Sequence, residues 1–192
     1  MGNILYGFNV SLDGFIEDAT GNFDWSEPDE ESHRHFNEQE RATGLHLYGR
    51  GLWEVMKVWA TLDAEPSMAE YEREYARLWQ KVPTIVFSRT LTEVPDGVRL
   101  LRGVDPAEIR QLKANTEGDL SLGGASLAAE FRRLGLVDEY WLYVVPVLVG
   151  SGKRMFQGQA LERLPLLEVR TFTSGVTLLR YATEKQSPTG PH

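Results

Sequence analysis

The chain has 192 residues, 42% of them apolar and 25% charged, a balance that suits a single globular domain with its own core. It contains no cysteine, which excludes thiolate nucleophiles, Cys-based zinc or iron–sulfur sites and a disulfide scaffold, and makes a reducing cytoplasm the expected setting. Its 20 Lys and Arg against 28 Asp and Glu leave a net charge of −8, a sign that repels nucleic-acid backbones and anionic lipid, and no apolar run reaches the roughly 20 residues that span a bilayer.

Short β-like runs alternate with amphipathic helical stretches, the pattern of an α/β domain, here expected over residues 1–185 with a disordered tail over 186–192. Ile4 to Leu12 reads as the first strand. Asp13 to Pro28 follows as a polar, Gly-containing loop, long enough to point to function. A polar helix from Asp29 to Thr43 leads into the strand Leu45 to Tyr48, which runs into Gly49-Arg50-Gly51. Leu52, Val55, Met56 and Trp59 then recur at helical spacing, and a further helix opening near Pro66 carries Met68, Tyr71, Tyr75, Leu78 and Trp79 on one stripe. Thr84 to Phe87 is a β-branched and aromatic strand ending in Ser88-Arg89-Thr90, and Val98 to Leu101 is another. Asp105-Pro106 opens a helix through about Ala114. Leu120 to Leu122 reaches Gly123-Gly124-Ala125-Ser126, and the helix after it places Leu127, Ala128, Phe131 and Leu134 on one face before stopping at Gly135. Tyr140 to Val149, nearly all apolar, reads as a central strand buried on both faces. Leu166 to Phe172 and Val176 to Tyr181, joined by Thr173-Ser174-Gly175, close the fold as an antiparallel hairpin.

Three strand ends thus deliver small or basic residues, and in an open α/β sheet the ends of parallel strands share a ligand crevice. Helix N-termini offer unpaired N–H groups and partial positive charge, glycine allows close approach of a phosphate, and Arg50 and Arg89 add guanidinium forks. A phosphorylated dinucleotide fits Gly49, Arg50 and Gly51, Ser88, Arg89 and Thr90, and Gly123, Gly124, Ala125 and Ser126. Neither GxGxxG nor the Walker pattern occurs. His33 and His35 are two apart on a helix and point about 200° from each other, too far to grip one metal, so no metal site is expected. The acidic run Asp29-Glu30-Glu31 favours a helix start and is also a candidate source of a catalytic acid. Trp25, Trp53 and Trp59 are candidates to line a pocket for a flat ring, with Trp59 the more core-like.

Seven segments in order carry a resemblance: Ser11-Leu12-Asp13-Gly14, Tyr48-Gly49-Arg50, Val86 to Leu91, Gly123 to Leu127, Gly135 to Glu139, Pro146 to Lys153 and Phe172 to Val176. With them the sequence resembles the dihydrofolate reductase-like superfamily, and within it the reductase domain of bacterial riboflavin-biosynthesis deaminase-reductases. The resemblance implies a mixed, mainly parallel sheet flanked by helices and an NADPH-dependent reductase acting on a small, possibly heterocyclic substrate. It implies cofactor phosphates on the Gly49 and Gly123 loops, the adenosine 2′-phosphate at Ser88 and Arg89, and a homodimer. Asp13 resembles the substrate-side Asp of the riboflavin-pathway reductases and is the candidate catalytic residue. Two features depart from dihydrofolate reductases: Leu52 stands where a Thr is usual, and no unique carboxylate of the Trp25 to Glu31 region aligns with the substrate-anchoring acid. The alternative function is an NADP(H)-binding regulatory or sequestering module without turnover.

Overall fold

The computed structural model describes residues 2–158 and 161–184; the expected tail over 186–192 lies outside the described residues. The elements run β1 (Ile4–Ser11), β2 (Phe15–Asp18), α1 (Glu30–Ala42), β3 (Thr43–Gly49), α2 (Arg50–Met56), α3 (Glu70–Trp79), β4 (Thr84–Phe87) and β5 (Val98–Leu101). The second half adds α4 (Pro106–Asn115), β6 (Asp119–Gly123), α5 (Ala125–Arg133), β7 (Glu139–Val145), β8 (Gly152–Arg154), β9 (Leu166–Thr171) and β10 (Thr177–Ala182).

Eight strands form one sheet in the order β5-β4-β3-β6-β1-β7-β10-β9, parallel from β5 to β7 and antiparallel at β10 and β9. Period-two alternation gives each face its own core. Tyr6, Leu47, Leu120 and Leu122 are buried with Ile109 of α4 and Phe131 of α5 on one side. On the other, Tyr48 and Val86 pack with Trp53 and Trp79, while Phe36 of α1 packs on Tyr143 with ring centroids 4.9 Å apart. Helices therefore cover both faces, and every connection that ends a parallel strand emerges at one edge. Among the described residues no helix is long and apolar enough to cross a membrane.

Three expectations are corrected. The segment after Asp13 is not all loop: β2 pairs antiparallel with β8 as a separate two-stranded ribbon. The third helix begins at Glu70 and not near Pro66, because the Glu72 carboxylate accepts from the Ala69 amide at 2.7 Å and fixes the first turn there. The apolar run from Tyr140 stops being a strand at Val145. Pro146 has no N–H to offer a ladder, and beyond it Leu148 is 77% exposed; within the strand Trp141, Leu142 and Val144 are only half-buried.

Candidate active site at the parallel strand ends

The loops after β3, β4 and β6 open into one cavity of about 330 Å³. Gly49, Arg50 and Gly51 line one wall, Ser88 and Arg89 a second, and Gly124, Ala125 and Ser126 a third. Gly124 has φ +103°, a conformation only glycine adopts without strain, and it lets the chain turn from β6 directly into α5. The first amides of α5 have no partner within the helix, and Ala125 and Ser126, which carry two of them, line this space. Gly123 has a packing duty: a Cβ there would come within 1.9 Å of the Leu52 side chain.

The basic residues divide into holders and a free group. Arg50 Nη1 donates to Thr90 Oγ1 at 2.8 Å, tying the loops after β3 and β4 together. Ser88 Oγ accepts from the amides of Thr90 (3.2 Å) and Leu91 (3.0 Å), so its hydroxyl oxygen shapes the turn. Thr90 does not line the cavity; it acts through Arg50. Arg89 lines the cavity, and among the described residues no hydrogen bond or ion pair holds its guanidinium.

Two cationic residues were not anticipated. Arg102, after β5, donates to the Ser88 carbonyl at 3.0 Å and also to that of Leu91, bracing the Arg89 turn from below. Arg102-Gly103 repeats the strand-then-Arg-Gly pattern of Gly49-Arg50-Gly51, a signal present in the sequence. Lys153 reaches the cavity from β8 while bonding Glu17 of β2 at 3.1 Å. It depends on the β2–β8 ribbon, whose strands of four and three residues carry no legible period.

Asp13 lies outside this cavity. Its carboxylate accepts from Ser11 Oγ at 2.7 Å, from the Val149 amide at 3.1 Å and from the Gly150 amide at 2.7 Å. The Ser11 hydroxyl first, and then the Val149 and Gly150 amides, lower its pKa to about 2. These bonds make the carboxylate an anchor that joins the end of β1 to the loop after β7. The acids of the run after Pro28 are also engaged. Asp29 caps α1 by accepting from the Ser32 amide, Glu30 pairs with Arg34, and Glu31 accepts from the Thr173 amide and hydroxyl. His33 packs among Tyr71, Tyr75 and Trp59, whereas His35 lies against Phe172. Trp53 stacks on Trp79 and Trp59 meets Tyr75 edge to face, which places both in packing; Trp25 is half-exposed.

A mainly parallel sheet whose strand ends carry Gly- and Arg-rich loops around an open cationic cavity defines a dihydrofolate reductase-like domain. The family model for the RibD C-terminal domain matches residues 3–178, and the chain belongs to that family. It is 34% identical over 180 residues to the uncharacterized protein YyaP of Bacillus subtilis (strain 168), covering 93% of each chain. A crystal structure from Shewanella sp. PV-4, named for riboflavin biosynthesis, is similar at a TM-score of 0.75 and 22% identity, covering 95% of this chain and 99% of that one. The diaminohydroxyphosphoribosylaminopyrimidine deaminase/5-amino-6-(5-phosphoribosylamino)uracil reductase of Thermotoga maritima is similar at a TM-score of 0.67 and 15% identity, over 95% of this chain and 56% of that one. These two structures bear on the fold.

Proposed function

We propose that the protein is an NADPH-dependent reductase that transfers a hydride to a small heterocyclic acceptor. The observation that carries this reading is that Arg50, Arg89, Arg102 and Lys153 line one cavity against one carboxylate among its described lining residues, Glu130, in a chain of net charge −8. A dinucleotide's phosphates need such a place, and family membership supports it. The residues fit the cofactor: the α5 amides and Gly124 would receive the pyrophosphate, and the free Arg89 guanidinium would receive the 2′-phosphate that separates NADPH from NADH. When bound, the cofactor supplies the hydride. The chain's own work is to hold the reactants together and exclude water. Asp13 serves as a positioning residue, fixing the Val149–Gly150 segment at the end of β1.

The engagement of Asp13, Asp29 and Glu31 favours a second reading, an NADP(H)-binding module without turnover. Purified protein incubated with NADPH and a panel of pterins, flavin precursors, quinones and aldehydes separates the two. Loss of the reduced-nicotinamide absorbance with any acceptor supports the reductase; saturable NADPH binding without turnover on any supports the module. The reading also places the protein in the cytoplasm as a homodimer. The edge strand β9 exposes Leu166, Leu167 and Val169 to about half or more of their area, an edge that a second copy would cover.

A further inference from the structure

We infer that a second cavity, beneath α1, is the acceptor pocket and that it takes a flat, uncharged heteroaromatic ring in preference to a phosphorylated one. This rests on the reductase reading and names the substrate class that the reading leaves open.

The cavity, about 260 Å³, lies on the sheet face opposite α5. It exists by subtraction. The central strands β1 and β6 present Gly7, Ser121 and Gly123 to this face, where neighbouring strands present Tyr48, Trp141 and Tyr143. Small residues ringed by aromatic ones leave a slot, with Phe36 of α1 on the helix side. Ligand pockets span roughly 300–1,000 Å³, so this volume suits one or two fused rings and not a nucleotide. Leu52 lines both cavities, packed on the backbone of Gly123, whose neighbour Gly124 lines the first. Leu52 is thus a wall shared by the two spaces, which sets a ligand of one beside a ligand of the other, as transfer between two bound molecules requires.

Charge decides the class of ligand. Among the described residues that line this cavity there is no Lys or Arg; its carboxylates are Glu40 and Asp119. Glu40 Oε1 is held by His46 Nε2 at 2.7 Å, and Asp119 Oδ1 by the Asn3 amide at 2.8 Å. Burial raises the Tyr48, Tyr75 and Tyr143 hydroxyls above their ordinary pKa, which keeps them neutral. A phosphate here would lose its hydration, meet two carboxylates and find no cation. Asn9, Gln39, Ser121 and the Tyr143 hydroxyl offer neutral hydrogen bonds instead. The Thermotoga maritima neighbour is named for a phosphoribosyl substrate, and this pocket has no cationic side chain to pair with such a group's phosphate.

The test is calorimetric titration of the intact protein with quinoxaline, uridine and uridine 5′-monophosphate, each with and without NADPH. Quinoxaline should bind saturably in both conditions, and uridine 5′-monophosphate should neither bind nor compete with it. Ser121→Leu, which fills the slot, should weaken quinoxaline about tenfold or more while NADPH affinity changes less than about twofold. Gln39→Trp fills it from the helix side and serves if Ser121→Leu does not fold. Absence of quinoxaline binding, competition by uridine 5′-monophosphate, or indifference to the filling variants overturns the inference. Failure of NADPH to bind overturns the reductase reading separately.

Discussion

Replacing Arg89 with alanine separates recognition of the 2′-phosphate from every other contribution to cofactor binding. Arg89 lines the strand-end cavity, and no hydrogen bond or ion pair among the described residues holds its guanidinium, so its removal leaves the surrounding loop intact. That loop is fixed by other groups: Ser88 Oγ on the Thr90 and Leu91 amides, Arg102 on the Ser88 carbonyl, and Arg50 on Thr90. A hydrogen bond to a charged group contributes about 1.5–3 kcal/mol, which corresponds to roughly 10- to 150-fold in Kd. Arg89→Ala should therefore weaken NADPH by about that factor and leave NADH within about twofold, as followed by isothermal titration of both nucleotides. The NADPH advantage should also shrink as salt rises, because Arg89 is exposed. Arg50→Ala is the control: it releases Thr90 and should weaken both nucleotides alike. Equal losses for NADPH and NADH on Arg89→Ala would refute the 2′-phosphate assignment.

Asp13→Asn should leave NADPH affinity within about twofold but accelerate hydrogen exchange at the Val149 and Gly150 amides, since a carboxamide offers one acceptor oxygen where the carboxylate uses two. Asp13 has its pKa lowered from 3.8 to about 2, so the tie it provides is complete above pH 4 and is lost as pH falls through 2; protection of those amides that does not decline across this interval would contradict the assignment. Gly124→Ala forces a side chain onto φ +103° and should cost about 1–3 kcal/mol in denaturant unfolding, together with a loss of NADPH affinity; unchanged stability would show that the conformation carries no strain. Light scattering should give the mass of two chains, and Val169→Lys on the β9 edge should shift it toward one; a single-chain mass for the unaltered protein would remove the dimer.

The parts of the fold legible in the sequence are those governed by local periodicity. Strands such as Thr84 to Phe87 announce themselves by composition, and Gly135, at φ +64°, marks the end of α5 where a helix-stopping glycine is expected. The loops that line the strand-end cavity are legible for the same reason, since each is a short polar or glycine-containing segment directly after an apolar run. What stayed hidden depends on distant partners. The β2–β8 ribbon joins residues about 136 apart through strands too short to show alternation, and with it goes Lys153. Asp13 is satisfied by the Val149 and Gly150 amides across a similar separation, which no local pattern encodes. The pocket beneath α1 is defined by what Gly7, Ser121 and Gly123 lack, and an absent side chain leaves no signature until the strands are placed side by side.

The decisive measurement is a crystal structure of the protein grown with NADP⁺. It should show the 2′-phosphate beside Arg89, the pyrophosphate against Gly124 and the first amides of α5, and the nicotinamide directed toward Leu52 and the cavity beneath α1. Nucleotide density away from the Gly49, Ser88 and Gly124 loops, or none at millimolar NADP⁺, would contradict it.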